Sequence, residues 1–299
     1  QAGGAPIAMV SMDNCARNGE KLRAGVLSMA RDWAERGLVE SAFLDWLEDE
    51  GRVSFPWSMI DKITPHPSER VQEELGRLGV ADMAIARTNT GTLIAPFVNA
   101  EITEYLVLED AFPNGRPALE GAGVYLTDRT TVEKAEKMKV GTCLNPLHTA
   151  LAVYGCLLGY TSIAAEMGDA DLKALVEHIA AESLPVVEDP GILSPRAFID
   201  EVLHERFPNP AIPDTPQRIA ADTSQKLPVR YGGTLRRYAR QSEQALAGLE
   251  FAPLVFAGWC RYLLGGDDRG KAMPVSPDPM LPQLQAHLKG IEVGRPDSL

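Results

Sequence analysis

Three side chains that could transfer or orient a proton lie close together in the sequence: Lys139, Asn145 and His148. Oxidation of a secondary alcohol, or reduction of a ketone, needs a group that exchanges the hydroxyl proton and donors that stabilise the developing alkoxide. A lysine serves as this acid/base when burial or nearby positive charge lowers its pKa from about 10.4. The amide of Asn145 and the ring of His148 supply hydrogen bonds. The stretch therefore offers a proton-transfer group beside two hydrogen-bonding groups, with Lys139 as the candidate base.

Each of these residues also has a purely structural interpretation. A lysine such as Lys139 is most often a solvated surface charge. Asn145 precedes Pro146, a pair typical of a helix start, so Asn145 could cap a helix instead of donating to a substrate. His148 would then lie in the first helical turn, where the positive end of the helix dipole keeps its ring neutral. It could orient a hydroxyl group or pack as a core histidine.

The elements that must position these residues fall into two parts. Pro6–Ser11 predicts a buried parallel strand, and the polar residues Asp13 and Asn14 follow at the end where ligands bind in such sheets. Helical and strand-like segments alternate up to residue 126, so residues 1–130 are predicted to be α/β. From 131 to 299 we expect an almost entirely α-helical domain, with helices at 131–139, 146–167, 169–182, 195–206, 214–224, 231–246, 252–264 and 278–288.

Composition and charge exclude several classes of function. The formal charge of −12, from 29 Lys and Arg against 41 Asp and Glu, opposes binding to nucleic acid or anionic membranes. No run approaches the roughly 20 apolar residues that cross a bilayer, and the first residues lack the pattern of a signal peptide. We therefore expect a cytoplasmic protein that has no membrane partner. The 4 cysteines form no Cys-x-x-Cys pair and the 5 histidines no metal-like cluster, so no metal site is predicted.

Six motifs, taken together and in order, resemble those of one enzyme family. They are Asp13–Asn14, Phe55–Pro65, Glu109–Pro117, Lys139–Tyr160, Glu205–Pro210 and Asp222–Arg230. This set is similar to that of the zinc-independent long-chain polyol dehydrogenases, the mannitol dehydrogenase family, which includes mannitol 2-dehydrogenase and fructuronate reductase (D-mannonate oxidoreductase). The resemblance implies a partial Rossmann-like dinucleotide-binding domain in residues 1–130 and a helical catalytic and substrate domain in 131–299. It also implies NAD as cofactor and a small sugar acid or polyol as substrate.

The resemblance assigns roles to individual residues. Lys139 is the acid/base, and Asn14 and Asn145 stabilise the oxyanion, with Asn14 also next to the cofactor. His148 orients the substrate, and Asp61 tunes the protonation of the lysine. Arg218 and Lys226 anchor the substrate. A guanidinium binds a carboxylate in a bidentate manner, which suits a sugar acid.

Other interpretations of these matches stay open. Asn18 competes with Asn14, which could instead form a turn. Asp61 could form a surface pair with Lys62 that contributes almost nothing to stability. Lys226 could complement the negative end of a helix dipole.

The spacing of the central motif departs from that of the mannitol enzymes. Those enzymes have four residues between lysine and asparagine, whereas five separate Lys139 from Asn145. On one straight helix the additional residue rotates the lysine by about 100°. Gly141 and Pro146 predict a bulge or break that absorbs it. The departure favours fructuronate over mannitol as the kind of substrate.

One expected motif of a dinucleotide site is missing from the sequence. No Gly-x-Gly-x-x-Gly follows the first predicted strand, and no acidic residue follows at the usual distance. We therefore expect the sequence to begin inside a dinucleotide-binding domain, truncated at its N-terminus. A hypothesis of a different class follows from the same absence: a catalytically silent fragment that binds substrate or supports assembly.

Overall fold

The computed structural model describes residues 4–295. These residues form short strands and many helices. The strands are β1 (Ile7–Ala8), β2 (Val53–Ser54), β3 (Ser58–Asp61), β4 (Ala86–Arg87), β5 (Leu93–Ile94), β6 (Tyr105–Glu109) and β7 (Tyr125–Thr127). The α-helices are α1 (Asn18–Glu35), α2 (Ser41–Glu48), α3 (Glu69–Arg77), α4 (Arg129–Met138), α5 (Asn145–Leu158), α6 (Ile163–Glu166), α7 (Ala170–Ser183), α8 (Pro195–Glu201), α9 (Pro216–Ile219), α10 (Thr223–Arg230), α11 (Gly232–Gln241), α12 (Glu243–Ala247), α13 (Phe251–Leu263) and α14 (Leu281–His287).

The chain divides into two compact units, each built from separate segments. The first contains the residues up to Lys62 together with Ile102–Lys137 and Glu188–Ser194. The second contains the remaining segments, Ile63–Glu101, Met138–Val187 and the residues from Pro195 onward. These units do not follow the linear division at residue 130, which stays a prediction.

A parallel β–α–β crossover opens the first unit. β1 pairs in parallel with β2, and α1 and α2 connect them. Helix α1 packs tightly on the chain after β2, because a Cβ atom on Gly19 would lie 2.4 Å from the carbonyl oxygen of Phe55. The apolar side chains between these elements form a small core of Leu27, Ala30, Leu47, Val53 and Phe55. The strand predicted over Pro6–Ser11 is shorter and less buried than expected, since Ile7 is 45% exposed.

A mixed three-stranded sheet completes the first unit. β3 pairs antiparallel with β6, and β6 pairs in parallel with β7. Met59 and Val107 face each other in the register of β3 and β6, and both are 0% exposed. The sheet therefore carries its own apolar core next to the end of the crossover.

The second unit is mostly helical and is organised around α5. Ten of the 14 residues of α5 are buried, as expected of a helix that is apolar on nearly all sides. It packs against α7, α9 and α13. The helix α3 and the antiparallel hairpin of β4 and β5 belong to this unit as well. The predicted fold class, an α/β part with a partial Rossmann-like unit and a mostly α-helical C-terminal part, is confirmed.

Two of the predicted helices are interrupted by residues in the left-handed conformation. The helix expected over 146–167 ends at Leu158, because Gly159 has a φ of 81°. The helix expected over 214–224 is two helices, α9 and α10, separated by Asp222 with a φ of 53°. Left-handed backbone cannot continue a right-handed helix, so both predictions were wrong in their bounds.

Several further properties concern ligands and reactivity. The four cysteines are free, and burial raises the pKa of the Cys143 and Cys156 thiols to about 12, which makes them poor nucleophiles. Among residues 4–295, no group of three or more His, Cys, Asp or Glu side chains is arranged to hold a metal ion. Within the same residues, no helix combines the length and apolar character that crossing a membrane requires.

Candidate active site

A π-helical turn at Lys139–Cys143 separates α4 from α5. The amide of Leu144 donates to the carbonyl of Lys139 at 3.1 Å, an i to i+5 bond that takes up one residue more than an α-helical turn. Leu144 then leaves helical geometry, with φ −125° and ψ −63°, and α5 begins at Asn145. The bulge predicted to absorb the additional residue is confirmed. Lys139 is only 2% exposed, so its interpretation as a solvated surface charge is wrong.

Side chains from the junction of α10 and α11 hold the first turn of α5. Arg230 donates through Nη1 to the carbonyl of Asn145 at 3.4 Å. The next residue, Tyr231, donates its hydroxyl to the carbonyl of Pro146 at 2.6 Å and is 1% exposed. These contacts join segments 85 residues apart and fix the backbone that carries the candidate donors.

Asn145 is the first residue of α5 but does not cap it. The N-cap position is Leu144, and no side chain makes a capping hydrogen bond there. Within residues 4–295 the backbone carbonyl of Asn145 accepts bonds from Thr149 and Arg230, whereas its side-chain amide makes none. The capping interpretation is therefore wrong. The half-buried amide retains its donors for a ligand.

His148 lies one turn further along α5 and pairs with Asp214. Its Nε2 is 3.3 Å from Oδ2 of Asp214, and its ring packs on Phe207 with centroids 5.1 Å apart. Burial lowers the pKa of His148; Asp214 opposes this, and the positive charges of Arg230 and Arg218 add to it. The direction of this pKa shift favours the neutral ring that was predicted, and burial is its main cause. Since a carboxylate only accepts, Nε2 carries the proton and Nδ1 is left as an acceptor.

The two predicted substrate anchors both have partners within the protein. Arg218 donates through Nε to Asp214 at 2.7 Å, and its side chain is 66% exposed. Burial raises the pKa of the Asp214 carboxyl. His148 and Arg218 lower this pKa by more, so it lies below its usual value. Lys226 donates through Nζ to the carbonyl of Ile219 at 2.9 Å. The ammonium of Lys226 thus lies at the C-terminal end of α9, which agrees with the dipole interpretation.

Asn14 and Asn18 have different environments in the first unit. Asn18 is 2% exposed and donates through Nδ2 to the carbonyl of Asp13 at 2.9 Å and to Ser58 Oγ at 2.7 Å. Its Oδ1 accepts from the amide of Ser58 at 3.0 Å. Because the side chain of Asn18 is fully used in tying the loop after β1 to β3, it is not the competing ligand-binding residue. Asn14 is exposed in the bend of that loop.

Asp61 is the last residue of β3, and it is 5% exposed. The surface-pair interpretation is wrong, because Lys62 pairs with Glu104 at 2.8 Å and Asp61 is buried. Asn14 and Asp61 belong to the first unit, whereas the second unit brings together the other matches, Lys139, Asn145, His148, Arg218 and Lys226. Within that second unit Asn145 begins α5, and His148 and Arg218 both bind Asp214.

Comparison with known proteins identifies the family of this chain. Residues 131–295 match the family model of the mannitol dehydrogenase C-terminal domain. The chain belongs to the mannitol dehydrogenase family. Over 100% of its length it is 56% identical to the D-mannonate oxidoreductase of Thermotoga maritima, of which it covers 55%. The chain thus spans about half the length of the curated relatives that it matches.

Solved structures agree with the assignment. The chain is similar to the ternary complex of Pseudomonas fluorescens mannitol 2-dehydrogenase with NAD and D-mannitol, with 32% identity and a TM-score of 0.68 over 96% of this chain and 53% of that one. It is also similar to substrate-free D-sorbitol dehydrogenase, with 27% identity and a TM-score of 0.75 over 92% of this chain and 51% of that one.

In this member of the mannitol dehydrogenase family, the sequence motifs assigned no role to Asp214, Arg230 or Tyr231, although Arg230 ends the motif Asp222–Arg230. The spacing of Asp214 and Arg218, four residues apart, is a signal that could have predicted their ion pair. No local pattern indicates that Arg230 and Tyr231 hold the first turn of α5, because the contacting residues are distant in sequence.

Proposed function

We propose that this chain carries the catalytic part of an oxidoreductase that interconverts a keto sugar acid and its hydroxy acid. Fructuronate and D-mannonate are the proposed pair, and NAD(H) the proposed hydride carrier. The observation that carries the proposal is the π-helical turn Lys139–Cys143, which begins with the buried Lys139 and leads into Asn145, whose side-chain amide makes no hydrogen bond within residues 4–295. The 56% identity to D-mannonate oxidoreductase supports a sugar acid as substrate.

The residues of the second unit divide the proton chemistry among them. Lys139 accepts the proton of the substrate hydroxyl during oxidation and returns it during reduction. The amide of Asn145 donates to the oxygen on which negative charge develops. His148, held by Asp214 with its Nδ1 as an acceptor, orients a neighbouring hydroxyl of the sugar. Arg218 and Lys226 anchor the substrate with the donors that their protein partners leave unused. The family resemblance assigns the tuning of the lysine's protonation to Asp61, which belongs to the first unit.

The first unit fits only a part of a NAD site. Its β1–α1–α2–β2 crossover places the loop with Asn14 at the carboxyl end of a parallel strand, where dinucleotides bind in such folds. The close packing at Gly19 is of the kind that this helix–strand contact requires. The sequence contains no Gly-x-Gly-x-x-Gly to hold the pyrophosphate. Asn14 would therefore contact the nicotinamide end, and bound NAD would supply the hydride acceptor.

The role of Lys139 is tested by replacing it with alanine in the full-length enzyme. Turnover of fructuronate should fall by about 10²–10⁴-fold, the usual contribution of an acid/base group, while NADH binding, measured by fluorescence titration, stays unchanged. Lys137→Ala is the matched control, because Lys137 lies on the exposed side of α4. Near-native turnover by the Lys139→Ala enzyme would refute the proposed mechanism.

Two alternatives remain distinguishable from this proposal. The similarity to mannitol and sorbitol dehydrogenases favours a polyol as a second candidate substrate, and rates of the full-length enzyme with mannitol, fructuronate and tagaturonate separate the two. The hypothesis of a silent substrate-binding or assembly fragment predicts that the 299-residue chain does not bind NADH. Tight binding of NADH to that chain in a titration would contradict it.

A further inference from the structure

Arg230 is a largely buried cation whose partners are all neutral. Its Nη1 donates to Thr149 Oγ1 at 2.5 Å and to the carbonyl of Asn145 at 3.4 Å. No carboxylate among residues 4–295 forms an ion pair with Arg230. Arg206, which is also buried, pairs with Glu101 at 2.8 Å. Burial lowers the pKa of Arg230 to about 10, as expected of a charge removed from water without an opposite charge.

The surroundings of Arg230 are positive, although the chain as a whole carries a formal charge of −12. Burial, and after it the charge of Arg230, lowers the pKa of Lys226. Asp222 and Asp278 act in the opposite direction on the pKa of Lys226, and Asp214 already binds both His148 and Arg218. The N-terminal end of the α5 dipole adds further positive potential. An anionic group of a ligand would therefore be stabilised here.

The guanidinium of Arg230 also has one edge, formed by Nε and Nη2, that could bind a carboxylate. Its Nε and Nη2 make no hydrogen bond to residues 4–295, whereas Nη1 is fixed by Thr149 and Asn145. A guanidinium edge with two parallel donors matches the two oxygens of a carboxylate. Arg218 is less suited to this role, because Asp214 already compensates its charge.

We propose that Arg230 is the residue that selects a charged substrate: it binds the carboxylate of the keto sugar acid while Asn145 binds the oxygen that reacts. This inference rests on the proposed function and deepens it. Thr149 is 1% exposed and holds the guanidinium in place, so the distance between the two binding groups is fixed by α5. Acids are bound in preference to uncharged polyols for this reason.

The test compares Arg230→Gln with the unchanged full-length enzyme, using fructuronate and NADH. Glutamine retains a donor for Thr149 but loses the charge. KM for fructuronate should rise by about 10- to 100-fold, the range of a charge-assisted hydrogen bond, with kcat within about threefold because the lost contact is equal in ground and transition states. Arg230→Lys, which keeps the charge without the bidentate edge, should give an intermediate KM.

Arg237→Gln provides the matched control, because Arg237 also donates through Nη1 to a backbone carbonyl, that of Val186. This variant should keep the KM for fructuronate. An unchanged KM in Arg230→Gln, or a fall in kcat as large as the rise in KM, overturns the inference, since a merely structural arginine would act through Asn145 on kcat. If the unchanged full-length enzyme does not reduce fructuronate at all, the proposed function fails instead.

Discussion

The buried polar groups at the two halves of α5 differ in whether they have hydrogen-bond partners. At the N-terminal end, Arg230 and Tyr231 hold the backbone carbonyls of the first turn, and His148 is paired with Asp214. In the C-terminal half, the helix packs on Glu166, which is 0% exposed and whose two oxygens have no hydrogen-bond partner among residues 4–295. Burial is the main reason that the pKa of Glu166 is raised to about 9.

The N-terminal end of α5 is thus a site that positions functional groups, whereas the contact of its C-terminal half with Glu166 is a packing contact. At the N-terminal end, the backbone is fixed, and the amide of Asn145 and one edge of Arg230 make no hydrogen bond to any described residue. In the other half, Glu166 is a neutral acid at pH 7 that packs on Gly155. Substitutions at the N-terminal end should therefore change turnover with little effect on stability, and those in the C-terminal half should do the reverse.

Among substitutions in α5 and its contacts, Asn145→Ala in the full-length enzyme has the largest expected effect. Loss of one donor to a developing oxyanion lowers kcat by about 10²–10³-fold, whereas the midpoint of thermal unfolding should hardly change, because the amide makes no bond within residues 4–295. Asn145→Asp is the isosteric control, since it replaces the donors with acceptors and should be equally slow. A large loss of thermal stability with retained kcat would reverse the comparison of the two halves.

The sequence was most informative where the chemistry is local. Lys139, Asn145 and His148 lie in one contiguous motif, and the glycine and proline within it predicted the break that the π-helical turn provides. The left-handed Asp222 was not predictable, because nothing in its neighbourhood requires a positive φ. The bonds of Arg230 and Tyr231 to α5 depend on tertiary packing across 85 residues. Sequence patterns therefore predict the functional side chains of a site more readily than the distant residues that position those side chains.

A smaller effect, on stability alone, is expected for Gly155→Ala. A Cβ atom at this position would lie 2.1 Å from Oε1 of Glu166 and 2.4 Å from its Cδ, and Glu166 is 0% exposed. Overpacking of this kind costs about 1–3 kcal/mol, which thermal unfolding measures, while kcat stays the same.

The same substitution at Gly25 is the matched control for Gly155→Ala. Gly25 lies in α1, is exposed and has nothing within 4 Å of the added methyl group. Alanine there should stabilise the protein by about 1 kcal/mol through helix propensity. Equal effects of the two substitutions would show that α5 and Glu166 are not in tight contact.

The smallest effect is that of Glu166→Gln, and it depends on pH. The unfolded chain releases the Glu166 proton near the ordinary value of 4.5, whereas the folded protein keeps it up to about pH 9. The folded state therefore binds one more proton in this window, and its free energy of unfolding decreases as the pH rises. Glutamine removes that dependence.

The gain in stability from Glu166→Gln should grow by about 1–2 kcal/mol between pH 5 and pH 8, less than the full linkage because an ionised carboxylate draws water into its site. Thermal unfolding of both proteins at pH 5, 6.5 and 8 measures the difference, and kcat at pH 7 should be the same for both. A difference that stays constant with pH means that Glu166 is ionised or solvated in the folded protein. In that case the C-terminal half of α5 would resemble its N-terminal end, and the contrast between them would disappear.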